Sequence, residues 1–182
     1  MYENSEIKDK ILQKDPTVPV VVMMCGVAGS GKTTFAQQLE KDGFVRLSID
    51  EEIWATKGRY GIDYSTEMYE QFKVEAEIKL RNELMILLKE KRNVVIDFSF
   101  WQREKRIEYK NLIEEASGEW KLIYLKVQPN ELRERLRLRS KRFDANAAFT
   151  ITEKILTSFL NGFEVPSGEG EIVIEATNRD IQ

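Results

Sequence analysis

Apolar residues in this chain occur in two patterns. Short, nearly unbroken apolar runs occupy residues 19–25, 44–49, 93–98, 120–127 and 172–175. Runs of this length, rich in Val, Ile and Leu and bounded by turn residues, read as strands covered on both faces. Between them, apolar residues recur every three or four positions, which is the helical period. The clearest such stretch is about 65–91, where Tyr69, Phe72, Ala76, Leu80, Leu84, Leu87 and Leu88 share one helical face. Further helices are expected over about 32–42, 51–57, 102–116, 130–142 and 150–161. Thr150-Ile151-Thr152-Glu153 fits a capping box at the start of the last one. Residues 4–14 fit a short amphipathic helix, with Ile7, Ile11 and Leu12 on one side and Asp15-Pro16 ending it.

Alternating strands and helices predict an α/β fold, with a five-stranded parallel sheet between two layers of helices. The length of 182 residues, without repeats or a low-complexity linker, predicts one domain over 1–182 with a core of about 18–177. In sheets of this kind a ligand binds beyond the carboxyl ends of the strands. Gly26, Asp50 and Asp97 all fall at expected strand ends.

The segment joining the first strand to the first helix carries the most specific chemistry. Gly26-Val27-Ala28-Gly29-Ser30-Gly31-Lys32-Thr33 matches G-x-x-x-x-G-K-[ST] at every fixed position. The glycines let backbone N–H groups turn inward onto a polyphosphate, and the helix start adds unpaired amides. The expected nucleotide-binding set is Gly26, Ala28, Gly29, Ser30, Gly31, Lys32, Thr33 and Thr34. Lys32 is expected to reach the β- and γ-phosphates, and the Thr33 hydroxyl to bind Mg²⁺. Asp97 follows Val94-Val95-Ile96 as a Walker B acid does, making it the second candidate Mg²⁺ residue.

Asp50 points to a more particular chemistry. A nucleotide switch needs no second acid here. A kinase does, because an acceptor hydroxyl must lose its proton as the phosphoryl group arrives. The same residue could instead cap the helix beginning at Glu51. The helix over 130–142 is strongly basic, and Arg135, Arg139 and Arg142 lie on one face of it. Such guanidinium groups can clamp a transferring phosphoryl group, with Arg139 the first candidate and Arg135 the second. Arg103 and Arg106 read equally as site residues or as surface charge. The polar aromatic loop Arg59, Tyr60, Asp63 and Tyr64 reads either as an acceptor pocket or as a plain connection.

Composition narrows the classes further. The net charge of −3 gives no overall attraction to nucleic acid or anionic membrane, and no apolar run reaches membrane-spanning length. The start Met1-Tyr2-Glu3-Asn4-Ser5-Glu6 lacks a secretory pattern, so a cytoplasmic location is expected. With no histidine, proton transfer falls to carboxylate, lysine, tyrosine or water. The single cysteine, Cys25, ends the first strand and reads as a core thiol.

These motifs together resemble the small P-loop kinases grouped with the AAA_33-type ATP-binding proteins. Relatives of that group include polynucleotide 5′-kinase, chloramphenicol phosphotransferase, gluconate kinase and zeta toxins. The resemblance covers about 18–177. It rests on 26–34, on Leu47-Ser48-Ile49-Asp50, on 95–100, on Arg135-Leu136-Arg137-Leu138-Arg139, and on 162–171. It implies a three-layer P-loop NTPase fold, Asp50 as general base and an arginine-rich lid helix carrying Arg139. It also implies that Phe163 to Glu169 lies near the nucleotide base, and that 142–149 links the lid to the next helix. The chain is short for a zeta toxin and its phosphate loop lacks the proline frequent there. The absence of an N-K-x-D motif favours ATP over GTP.

The expected activity is ATP- and Mg²⁺-dependent transfer of the γ-phosphoryl group to a small-molecule hydroxyl. Two alternatives stay open: a kinase of nucleic-acid ends, and a regulatory ATPase without an acceptor. The acceptor and the oligomeric state are not legible in the sequence.

Overall fold

A computed structural model describes residues 5–11, 15–147 and 150–175. Five strands form one parallel sheet: β1 (Val20–Cys25), β2 (Val45–Leu47), β3 (Val94–Ile96), β4 (Glu119–Lys126) and β5 (Glu171–Glu175), in the order β2-β3-β1-β4-β5. The strand order reverses direction at β1, which opens a crevice at its carboxyl end.

All six residues of β1 are fully buried. Its side chains alternate between two cores, as the strand period requires. Val21, Met23 and Cys25 pack with Leu80 and Leu84 of α4 (Tyr69–Lys89) and with Tyr109 and Ile113 of α5 (Arg103–Glu115). Val20, Val22 and Met24 pack with Phe35 and Leu39 of α2 (Lys32–Lys41) and with Ile11 of α1 (Ser5–Ile11). A third cluster joins Ile53 of α3 (Ile49–Lys57) to Phe72 and Ala76 of α4. The remaining helices are α6 (Pro129–Arg139) and α7 (Glu153–Gly162).

Several boundaries differ from the sequence expectation, each for a local reason. The second strand ends at Leu47 rather than Ile49, because the Ser48 hydroxyl caps α3 by accepting from the Glu51 N–H at 3.4 Å. Asp50 therefore lies on the first turn of α3 rather than at a strand end, and Ser48 holds the capping position instead of Asp50. The expected capping box at Thr150 is also displaced: Thr152 caps α7, its hydroxyl accepting from Ile155 N–H. α6 stops at Arg139, and Arg142 lies beyond it. The long helix starts only at Tyr69, after a 3₁₀ turn at Thr66–Met68. Residues 12–14 of the expected first helix, Leu12 among them, lie outside the described residues.

Arg106 is not a surface charge. It is fully buried on α5 and pairs with Glu169 through Nε at 2.8 Å and Nη2 at 2.7 Å. Its Nη1 donates to the Phe100 carbonyl at 2.9 Å, and Lys110 donates to the Glu169 carbonyl at 2.6 Å. The segment leading into β5 is thus fastened to α5. The Arg106 hydrogen bonds hold the Glu169 carboxyl below the ordinary glutamate range. Removing one partner strands a buried charge, so Arg106→Ala should lose about 3–5 kcal/mol of stability in chemical denaturation. A loss under about 1 kcal/mol would mean that Glu169 finds water instead.

Candidate functional site

The phosphate loop leaves β1 at Gly26, whose N–H donates to the Ser99 carbonyl at 3.1 Å. Gly26 has φ 149°, and a Cβ there would meet the Ser30 Oγ at 2.6 Å. Gly29 has φ 83°, and a Cβ there would press on Leu136 of α6 at 3.1 Å. Both positions therefore require glycine. Gly31 is the left-handed N-cap of α2, with no side chain covering the helix amides. Ala28 and Thr33 are half-buried, and Thr34 is exposed on the first turn. The Lys32 ammonium donates to the Val27 carbonyl at 3.0 Å, curling back over the loop. Burial holds its pKa below the usual lysine value, against the nearby charge of Asp97. The Ser30 Oγ is buried with no hydrogen-bond partner. Three positive-φ glycines, an uncapped helix start, a partly desolvated ammonium and an orphaned hydroxyl together fit a polyphosphate.

Asp97 lies just beyond β3, its N–H bound to the Leu47 carbonyl at 2.8 Å. Its carboxylate is held by Arg46 of β2: Nε at 3.0 Å and Nη2 at 2.7 Å both reach Oδ2. The two side chains are only 7% and 2% exposed. The same guanidinium approaches Glu51 Oε1 and Asn146 Oδ1, each at 3.5 Å, and Asn146 donates to Glu51 Oε1 at 2.8 Å. Arg46 and Asn146 were not singled out from the sequence. The signal for Arg46 was a lone charge inside an apolar run, because a strand covered on both faces tolerates an arginine only if it is paired. Asn146 gave no signal, since its role depends on where the loop after α6 folds.

Asp50 faces the same crevice from α3. The Tyr69 hydroxyl donates to its Oδ1 at 3.3 Å. Burial raises the Asp50 carboxyl above the ordinary aspartate value, Arg139 opposes this, and Asp97 adds to it. Burial, and then the charge of Asp50, push the Tyr69 hydroxyl upward, so it stays protonated as a donor. A small pocket opens beside Asp50, lined by Ile53, Trp54, Gly58, Tyr64, Tyr69 and Ala145. Tyr64 of the Arg59–Tyr64 loop thus lines that pocket, while Arg59 and Asp63 bind one another at its rim.

The arginines of α6 divide by face. Arg135 donates to the Ser30 carbonyl of the phosphate loop at 3.2 Å. Arg139 is largely buried; its Nε has no hydrogen-bond partner among the described residues, and burial lowers its pKa. Arg142, expected on the same face, instead pairs with Asp144 at 2.7 Å and is 61% exposed. Arg133 and Arg137 are bound by Glu153 and Glu134. Leu132 and Leu136 are buried, and both lie against Gly29. Lys32, Asp50, Asp97, Arg135 and Arg139 are therefore brought to one crevice, whereas Arg103, Arg106 and Arg142 are not. The Cys25 thiol donates to the Phe100 carbonyl at 3.3 Å, and burial pushes it up to about 11, so it is an unreactive core thiol.

Tyr124 and Phe163 stack at 5.7 Å between β4 and the segment that follows α7. In that segment the Glu164 carboxylate accepts from the Arg103 N–H at 2.6 Å.

The same sheet recurs in solved structures. A protein of Chloroflexus aurantiacus J-10-fl, provisionally assigned as a kinase, is 18% identical with a TM-score of 0.73, covering 91% of this chain and 90% of its own. The unliganded sugar kinase of Janibacter sp. HTCC2649 is 21% identical with a TM-score of 0.56, covering 87% and 85%. A chain of the Pnkp1/Rnl/Hen1 RNA repair complex is 21% identical with a TM-score of 0.58, covering 84% of this chain and 48% of its own. At these identities the likeness is one of fold, which is that of the P-loop kinases. No curated protein sequence matches the chain. Residues 21–166 match the family model AAA_33, described as an AAA domain. That match spans most of the chain and begins inside β1, at the strand that leads into the phosphate loop; the chain belongs to the AAA_33 family.

Proposed function

We propose that the protein is an ATP-dependent phosphotransferase that moves the γ-phosphoryl group to a hydroxyl of a small molecule. The observation that carries this reading is Asp50: a half-buried carboxylate that accepts from Tyr69 and is coupled electrostatically to Lys32 of the phosphate loop and to Arg139. An ATPase without an acceptor has no use for a second acid here, whereas transfer to a hydroxyl needs one to take the proton.

In this reading the acceptor hydroxyl lies against Asp50, which takes its proton as the oxygen bonds to the γ-phosphorus. The bond to the β-phosphate oxygen breaks, and ADP leaves. Lys32 and the amides of 26–34 hold the phosphates, and Arg139 and Arg135 meet the charge that builds on the moving group. Thr33 and Asp97 are the residues that would hold Mg²⁺, which when bound neutralises phosphate charge. Arg46 occupies Asp97 Oδ2, so Asp97 acts through its other oxygen or a water. The pairing of Arg133, Arg137 and Arg142 with acidic neighbours leaves little of α6 as a track for nucleic acid, which supports a small acceptor.

γ-Labelled ATP offered with pooled metabolites, antibiotics and oligonucleotides should yield a labelled small molecule. Asp50→Asn should lower that transfer by about 10²–10⁴-fold while ATP binding stays near wild type. Normal transfer by this variant would remove Asp50 from the chemistry. The raised carboxyl also fixes a stability sign. A group whose folded pKa is raised stabilises fully below its unfolded value, 3.8, and loses that contribution as pH climbs through the folded value. Asp50→Asn should therefore raise the thermal midpoint at pH 8, and the gain should vanish below pH 3.8.

Arg139→Ala should cost about 10²–10³-fold in kcat with little change in ATP affinity. Arg142→Ala should stay near wild type, since its ion pair is exposed. Equal effects of the two variants would mean that the lid arginines act only through overall charge.

A further inference from the structure

We infer that Arg46 is a positioning residue for the divalent cation: by holding one oxygen of Asp97, it keeps the other available as a ligand. This rests on the phosphotransferase reading above, in which Thr33 and Asp97 hold Mg²⁺.

The pairing is one-sided. Nε and Nη2 of Arg46 both donate to Oδ2 of Asp97, at 3.0 and 2.7 Å. Oδ1 has no hydrogen-bond partner among the described residues. A second buried pair in the same protein is built differently. Arg106 gives Nε to one oxygen of Glu169 and Nη2 to the other, so both carboxylate oxygens are matched. That two-pronged form is the stronger one where stability is the only task. Asp97 lacks it although its side chain is only 2% exposed, a depth at which an unmatched carboxylate oxygen is costly. A divalent cation on that oxygen removes the cost. The Thr33 hydroxyl likewise has no hydrogen-bond partner among the described residues.

The geometry is fixed from several sides. β2 grips Asp97 twice: the Leu47 carbonyl accepts its N–H at 2.8 Å, and Arg46, one residue earlier, takes its side chain. The guanidinium also reaches Glu51 Oε1 of α3 and Asn146 Oδ1 of the loop beyond α6, each at 3.5 Å. A planar guanidinium spans these partners at once, and a lysine ammonium of equal charge cannot. Groups that orient a ligand from behind in this way set metal affinity without touching the metal.

Mn²⁺ serves as the probe, because electron paramagnetic resonance separates its bound and free forms. It is titrated into protein held in excess over a non-hydrolysable ATP analogue. Arg46→Lys keeps a charge beside Asp97 and so avoids stranding it. It should raise the Mn²⁺ dissociation constant about tenfold or more, while affinity for the analogue in EDTA stays within about twofold of wild type. Asn146→Ala removes one support of the guanidinium without touching the core, and should weaken Mn²⁺ binding by a smaller factor. Arg106→Lys should lower the thermal midpoint and leave Mn²⁺ affinity unchanged. Mn²⁺ affinity equal to or tighter than wild type in Arg46→Lys or Asn146→Ala overturns this inference. An equal loss in Arg106→Lys overturns it too, since general loosening of the fold would then be the cause. Asp97→Asn separates the two readings. If it loses Mn²⁺ binding while Arg46→Lys does not, Asp97 keeps its place in the phosphotransferase reading and only this inference falls. If Asp97→Asn binds Mn²⁺ as wild type does, Asp97 holds no cation and both fall.

Discussion

The complete burial of β1 is the constraint on which the site depends. Its six residues touch no solvent, and they divide between two cores built by helices on opposite faces of the sheet. A strand gripped in this way cannot slide by one residue without exchanging its two faces. The phosphate loop inherits that precision, because Gly26 follows directly and is tied across to Ser99. The hydrophobic effect thus sets where the loop begins, and Leu132 and Leu136 pack against it at Gly29.

Around that fixed loop the charges alternate in sign. Lys32, Asp97, Arg46 and Glu51 form one series, and Lys32, Asp50 and Arg139 another. The Arg46–Asp97 pair is the deepest of these, and neither partner is stable there without the other. At Asp50, as at Lys32 and Arg139, desolvation outweighs the neighbouring opposite charges, and for this acid it raises the proton affinity. This is the direction a proton acceptor needs in order to work near neutral pH. The other acid, Asp97, is gripped by a guanidinium on one oxygen. Two aspartates at one crevice are thus given different environments and suited to different tasks.

Much of this was legible in the sequence, for reasons that are local. The parallel sheet followed from unbroken apolar runs, and the phosphate loop from a motif whose glycines have steric causes at Gly26 and Gly29. The position of Asp50 was read almost correctly, but the Ser48 hydroxyl turned the chain into a helix two residues early. What stayed hidden depended on distant pairings. Arg106 could not be told apart as site residue or surface charge because Glu169, its partner, is 63 residues away. Arg142 looked like part of the lid because a helical wheel cannot show that α6 stops at Arg139. The pocket beside Asp50 was only half visible, since Tyr64 and Trp54 line it from a loop and a helix whose approach the sequence does not specify.

The contact between α6 and the phosphate loop has a mechanical consequence. Leu132 and Leu136 are buried against Gly29, and Arg135 is bonded to the Ser30 carbonyl. A helix seated this way cannot swing out as an arm without lifting the loop it rests on. It behaves as a fixed post. Beyond Arg139 the chain returns to α3, where Asn146 donates to Glu51 and faces Arg46, and Phe143 lies against Trp54. Loop and helix therefore form one packed unit, and this wall of the crevice is set by the same side chains that seat Gly29.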